Sequence, residues 1–107
     1  MPEEMTINPR DLAQMMERAE SFFLLDCREP HEYQAARIDG ATLIPMRQIP
    51  QQLEQIPKDR PVIVYCHHGM RSLDVTFFLR SKGLEAKSLS GGIDRWSMEI
   101  DPSVPRY

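Results

Sequence analysis

The sequence is short of the residues that staple or soften small folds: its 107 residues include two cysteines and five glycines. One cysteine pair cannot build the dense disulfide framework of a small secreted domain, so reduced thiols and a cytoplasmic setting are expected. Aromatic residues make up only 7% and tryptophan occurs once, at Trp96, yet hydrophobic residues reach 41%, enough for one packed core. No apolar run is long enough for a signal peptide or a membrane span, and Met1 to Glu4 is acidic, so no membrane association is expected. Positive charge is not in excess either; a formal net charge of -3 argues against sequence-wide attraction to nucleic acid or anionic lipid. Repeats and low-complexity tracts are absent, and the nine prolines are scattered as punctuation between short segments. A chain of this size buries roughly two-thirds of its unfolded surface and needs no metal or disulfide to fold. A single domain over residues 1–107 is expected, with 98–107 as an extended, loosely held tail interrupted by Pro102 and Pro105.

What the chain has is alternation of short apolar runs with helical spacings. Met5 to Ile7 reads as a short strand, and Asn8 before Pro9 reads as an N-cap with proline at the first helical position. The helix so opened runs through about Arg18, with Leu12, Met15, Met16 and Ala19 on one face. Phe22 to Leu25 is continuously apolar, as a strand covered on both faces of a parallel sheet is, and Asp26 ends it. A short helix follows from Pro30 to about Ala36, then a brief strand, Thr42 to Ile44, stopped by Pro45. Gln51 to Ile56 is expected as a small helix, and Val62 to Tyr65, after Pro61, is the strongest strand signal and the expected centre of the sheet. Leu73 to Lys82 has the apolar spacing of an amphipathic helix closed by Gly83. Ala86 to Leu89 is the last strand, and Ser90-Gly91-Gly92 opens a helix carrying Trp96. Strands alternating with helices mean an α/β domain with a mainly parallel sheet.

Between that central strand and the next helix lies Cys66-His67-His68-Gly69-Met70-Arg71-Ser72. Ligands of open parallel sheets bind beyond the carboxyl ends of the strands, where such a turn presents several backbone N–H groups to one point. A cysteine at its head has its thiolate favoured by those donors and by the helix dipole, and Arg71 adds a full charge if its side chain folds inward. A less basic thiolate is also a weaker nucleophile, so acidity alone gains only about threefold. The larger task of such a loop is to hold developing charge in a cup of preorganised donors. Cys66 is therefore the candidate nucleophile, an assignment that fails if its side chain points into the interior, remote from any opening.

Cys66-His67-His68-Gly69-Met70-Arg71-Ser72 resembles the active-site loop of the rhodanese family, Cys-x-x-Gly-x-Arg-Ser. Two further stretches agree with it: Leu25-Asp26-Cys27-Arg28-Glu29 with Glu32-Tyr33 and Ile38-Asp39-Gly40-Ala41, and Leu89-Ser90-Gly91-Gly92-Ile93-Asp94-Arg95-Trp96. The chain departs from the family pattern at Ala36-Arg37, where Gly-His is usual, and at Asp39, where Pro is usual. The resemblance implies a sheet of about five short strands with helices on both faces. It also implies a sulfurtransferase whose Cys66 accepts a sulfane sulfur as a covalent persulfide, with no cofactor. The donor would be thiosulfate or a persulfide, and the acceptor a thiol or cyanide; a protein donor or acceptor in a sulfur relay, or a catalytically silent binding domain, are the alternatives. The six-residue loop sets it apart from related phosphatases and arsenate reductases, whose Cys-x5-Arg loop is one residue longer.

By the same resemblance His67, His68, Gly69, Met70, Arg71 and Ser72 form the substrate and persulfide loop. Asp26 and Arg28 read as a pair steadying nearby loops, and Gly91 and Gly92 permit close backbone approach beside the cup. The side chains of His67 and His68 are as readily rim residues as catalytic ones. A metal held by Cys66, His67 and His68 is not expected, because adjacent residues rarely converge on one ion. Cys27 stands where the family has an apolar residue and reads as a packed thiol rather than a partner that resolves a Cys66 persulfide. Trp96 reads as a buried helix anchor.

Overall fold

Residues 5–107 are described by a computed structural model. Asn8 and Pro9 start the first helix as their chemistry dictates. The Asn8 side chain accepts a hydrogen bond from the Asp11 N–H at 2.8 Å, and Pro9 occupies a position where no N–H is needed. Helix α1 covers Pro9–Glu17, after strand β1, Thr6–Ile7. Strand β2, Phe23–Asp26, starts one residue later than the apolar run and keeps Asp26 as its last, fully buried member. Helix α2, Pro30–Ala35, and the two-residue strand β3, Thr42–Leu43, follow.

The segment between β3 and β4 corrects the sequence reading. In place of a small helix over Gln51 to Ile56, 3-10 turns run over Met46–Gln55, interrupted at Gln52. Pro50 lies inside this stretch and supplies no N–H, which suits short 3-10 turns better than one regular α-helix.

Strand β4, Val62–Tyr65, is the centre of the sheet, as expected, with every residue buried. Each such apolar side chain contributes roughly 1.5–3 kcal/mol on leaving water. Helix α3, Met70–Ser81, begins three residues before the apolar spacing does, and its buried face is Ser72, Val75, Thr76 and Leu79. Half of that face is polar, and Phe77, within the same helix, is exposed. Strand β5, Ala86–Leu89, and helix α4, Gly92–Glu99, complete the chain's elements.

The sheet has the order β1-β5-β4-β2-β3, and every described pairing is parallel, with Asp26 opposite Tyr65 and Val64 opposite Ser88. Alternation along the strands splits the core in two. Leu25, Val62, Val64 and Ala86 pack with Val75 and Leu79 of α3, whereas Leu24, Ile63, Tyr65 and Leu89 pack with Leu12 of α1 and with Ile93 and Trp96 of α4. Helices thus cover both faces, and Trp96 is the buried anchor expected of it. No helix among the described residues is long and apolar enough to cross a membrane.

The end of the chain is not loosely held. Met98 and Glu99 belong to α4, Val104 is buried, and Ser97 Oγ donates to the Val104 carbonyl at 2.6 Å. Arg106 grips Asp94 with two hydrogen bonds, and the Tyr107 hydroxyl reaches Arg28 and Glu32. Polar anchors and one apolar plug hold a segment whose prolines alone suggest an extended end.

Candidate functional site

Cys66 is the first residue beyond the carboxyl end of β4, and α3 starts only four residues later. The reversal depends on Gly69, whose φ of +107° is strained for any residue with a side chain. From outside, α4 clamps the turn. The Ile93 and Asp94 N–H groups donate to the carbonyls of Cys66 and His67 at 2.9 and 3.1 Å. Gly92 makes that clamp possible, because a Cβ there would overlap both carbonyl oxygens.

Inside the turn, backbone N–H groups of Gly69 and Ser72 donate to Cys66 Sγ at 3.1 and 3.3 Å. Ser72 Oγ lies 3.4 Å from the same sulfur and 2.7 Å from Ser88 Oγ, and both serines are buried. Cys66 itself is only 1% exposed, but its sulfur faces the interior of the loop, held by the loop's own amides. A reagent reaches it only if the rim gives way, and the exposed rim side chains are Met70 and His68.

Arg71 is shared between the cup and a carboxylate. Its guanidinium makes a two-pronged pair with Glu32, at 2.8 and 2.9 Å, and stays within electrostatic reach of Cys27 and Cys66. Glu32 also accepts from the Glu29 N–H at the start of α2 and from the Tyr107 hydroxyl. The Arg71 guanidinium is the main reason that the Glu32 carboxyl is held down to about 2.

Behind the loop Asp26 and Arg28, both fully buried, form a two-pronged pair at 2.9 and 2.6 Å. Arg28 also donates to the carbonyls of Glu32 and Ala36, and the Tyr65 hydroxyl donates to Asp26 at 2.9 Å. The pair thereby ties β2, α2 and β4 together. Arg28 also donates to the Tyr107 hydroxyl at 2.7 Å, which in turn donates to Glu32 at 2.9 Å, joining the Asp26–Arg28 and Glu32–Arg71 pairs. Burial pushes the Tyr107 phenol up to about 12.

The two histidines sit on the loop's outer flank. The Tyr107, His67 and His68 rings stack in sequence, with centroids 3.9 Å apart in each step. His67 Nε2 is buried without a hydrogen-bond partner, and burial, then the neighbouring His68, lowers its pKa below the usual histidine range. One ligand atom each of His67, His68 and Asp94 lies within 4.8 Å of the others, so among the described residues the group with metal-ligand spacing includes Asp94 and leaves out Cys66. Arg106 already occupies that carboxylate.

Of the other expected residues, Gly91 adopts φ of +75° under the Arg95 side chain and precedes α4, beside the loop as anticipated. Cys27 is fully buried, and its Sγ donates to the Tyr65 carbonyl at 3.4 Å. Burial above all, with Cys66 as the next cause, pushes its thiol far above the usual range. Ser88, Glu32 and Tyr107 were not singled out by sequence. Ser88 shows only as a polar residue among apolar neighbours in β5, Glu32 only within a motif, and Tyr107 carries no local signal.

Comparison with known proteins agrees with this geometry. Residues 8–99 match the family described as the Rhodanese-like domain. A sulfurtransferase of Allochromatium vinosum is 36% identical over 99 residues, covering 92% of each chain. A protein of Mycobacterium tuberculosis named "Probable adenylyltransferase/sulfurtransferase MoeZ" is 34% identical over 105 residues, and there the chain spans only 27% of the relative's length. A rhodanese-related protein of Thermoplasma volcanium superposes with a TM-score of 0.84 at 30% identity, over 95% of this chain and 98% of that one. A cysteine cupped by amides at the end of a central parallel strand, and relatives that match along nearly the whole sequence, make this chain a member of the rhodanese-like domain family.

Proposed function

We propose that the chain is a sulfurtransferase in which Cys66 carries the sulfur. The thiolate attacks the outer sulfur of thiosulfate, forming a Cys66 persulfide and releasing sulfite; a persulfide donor would release its thiolate instead. An acceptor thiolate, or cyanide in an assay, then attacks the outer sulfur and regenerates the Cys66 thiolate. The observation that carries the reading is the convergence of the Gly69 and Ser72 N–H groups on Cys66 Sγ. Those amides are fixed before any charge arrives, so stabilising a sulfur anion there needs little reorganisation. No cofactor is required, because the intermediate is a covalent bond to the protein.

A persulfide donor, small or carried by a partner protein, is the second reading, and Arg71 favours it. Thiosulfate is a dianion, and the arginine of the loop is already paired with the Glu32 carboxylate, which offsets part of its attraction for a second anion. Exposed Met70 at the start of α3 gives the rim an apolar element that suits a protein surface.

Intact-mass measurement after exposure to each donor tests both readings. Loading is expected to add the mass of one sulfur atom, removable by cyanide and missing in Cys66→Ala. Loading by thiosulfate and by a persulfide at matched concentrations separates the donors. No added sulfur with any donor overturns the proposal.

A further inference from the structure

The sequence holds two cysteines, 39 positions apart, and the fold makes them neighbours. Asp26 and Tyr65 are register partners on β2 and β4, so Cys27 and Cys66 each follow by one residue on adjacent parallel strands. The Cys27 N–H still donates to the Tyr65 carbonyl, at 3.2 Å, which carries the alignment past the formal strand ends. Both side chains belong to the same core cluster, on the α3 face of the sheet. Adjacent strands lie about 4.8 Å apart, and disulfides accept Cα separations of roughly 4.4–6.8 Å. We propose that Cys27 is a resolving cysteine that closes an internal disulfide with Cys66 when Cys66 is oxidised by a hydroperoxide.

The chemistry balances in two steps. The Cys66 thiolate attacks one oxygen of the hydroperoxide; the O–O bond breaks, Cys66 becomes a sulfenic acid, and the other oxygen leaves as water or an alcohol after taking a proton. The Cys27 sulfur then attacks the Cys66 sulfur, the S–O bond breaks, and the thiol proton leaves with the hydroxide as water. Two electrons from a dithiol restore both thiols.

Burial decides how Cys27 would act. A thiol so reluctant to ionise is a slow nucleophile at neutral pH, so it would not compete with an acceptor in solution during turnover. A sulfenic acid shut inside the loop persists long enough for a slow neighbour at fixed distance to reach it. Disulfide formation then forestalls the irreversible step to sulfinic acid. The inference needs only a reactive Cys66 and is independent of whether that residue carries sulfur.

The test uses the whole chain, hydrogen peroxide as the probe, and mass as the readout, so it does not depend on a transferase assay. Peroxide-treated protein is expected to lose the mass of two hydrogen atoms, to yield a Cys27–Cys66 cross-linked peptide under non-reducing digestion, and to recover both thiols with dithiothreitol. Cys27→Ala and Cys27→Val are expected instead to gain two oxygen atoms at Cys66, with no thiol recovered there. Wild-type protein that gains those oxygens, cross-links between chains, or keeps both thiols free overturns the proposal, and this arm stands whether or not the variants fold.

Discussion

At the residue scale the site separates into donors that belong to the backbone and donors that a substitution can remove. The Gly69 and Ser72 N–H groups survive almost any change of side chain, whereas Ser72 Oγ, which accepts from the Cys66 thiol and turns donor once that thiol is ionised, does not. A hydrogen bond to a charged group contributes about 1.5–3 kcal/mol, so Ser72→Ala is expected to slow single-turnover sulfur transfer by about tenfold or more. Ser88→Ala, which removes only the partner of Ser72, is expected to cost roughly threefold or less, and equal effects would contradict this order. Glu32 makes a pH prediction possible. Its carboxyl sits near 2 in the folded protein against an ordinary value of 4.5, chiefly through its hydrogen bonds with Arg71. Its stabilisation is therefore complete above the unfolded value and is lost as pH falls through about 2. With Arg71 partly in solvent, the loss is on the order of 2 kcal/mol, and urea titrations between neutral pH and pH 2 should show it in the wild type and not in Glu32→Gln.

At the element scale the decisive contact is α4 against the loop after β4. Gly92→Ala would drive a Cβ into the Cys66 and His67 carbonyls at a backbone angle of φ +62°. A loss of about 3 kcal/mol in urea unfolding is expected, together with weaker transfer, because the clamp from Ile93 and Asp94 must open. The loop and its cysteine were legible in the sequence because a short apolar run, a cysteine and a glycine three residues on leave little freedom. The start of α3 was not. Met70 is exposed, Ser72 is buried and polar, and the glycine before them caps the helix with backbone alone, so hydrophobic spacing is silent for the first turn. The 3-10 turns of Met46–Gln55 were equally opaque, because a 3-10 helix repeats every three residues and Pro50 breaks any longer period.

At the scale of the whole molecule, the site is braced by charges drawn from residues 26 to 71 and joined by the Tyr107 hydroxyl. Asp26, Arg28, Glu32 and Arg71 alternate in sign and meet at or near the Tyr107 hydroxyl, which accepts from Arg28 and donates to Glu32. Such a meeting is invisible to sequence reading, since 75 residues separate Glu32 from Tyr107 and no periodicity links them. Tyr107 has two separable contacts, the hydroxyl in this network and the ring stacked on His67. Tyr107→Phe keeps the stack and leaves one Arg28 donor with only the Glu32 carbonyl, so a destabilisation of about 1–2 kcal/mol is expected. Tyr107→Ala should cost about 1 kcal/mol more, from the lost ring contact. A double-mutant cycle of Tyr107→Phe with Glu32→Gln, read by urea unfolding, is expected to give coupling of at least about 0.5 kcal/mol, because both changes strike one hydrogen bond. Strict additivity would mean that the hydroxyl and the carboxylate act alone, and that the end of the chain covers the site without bracing it.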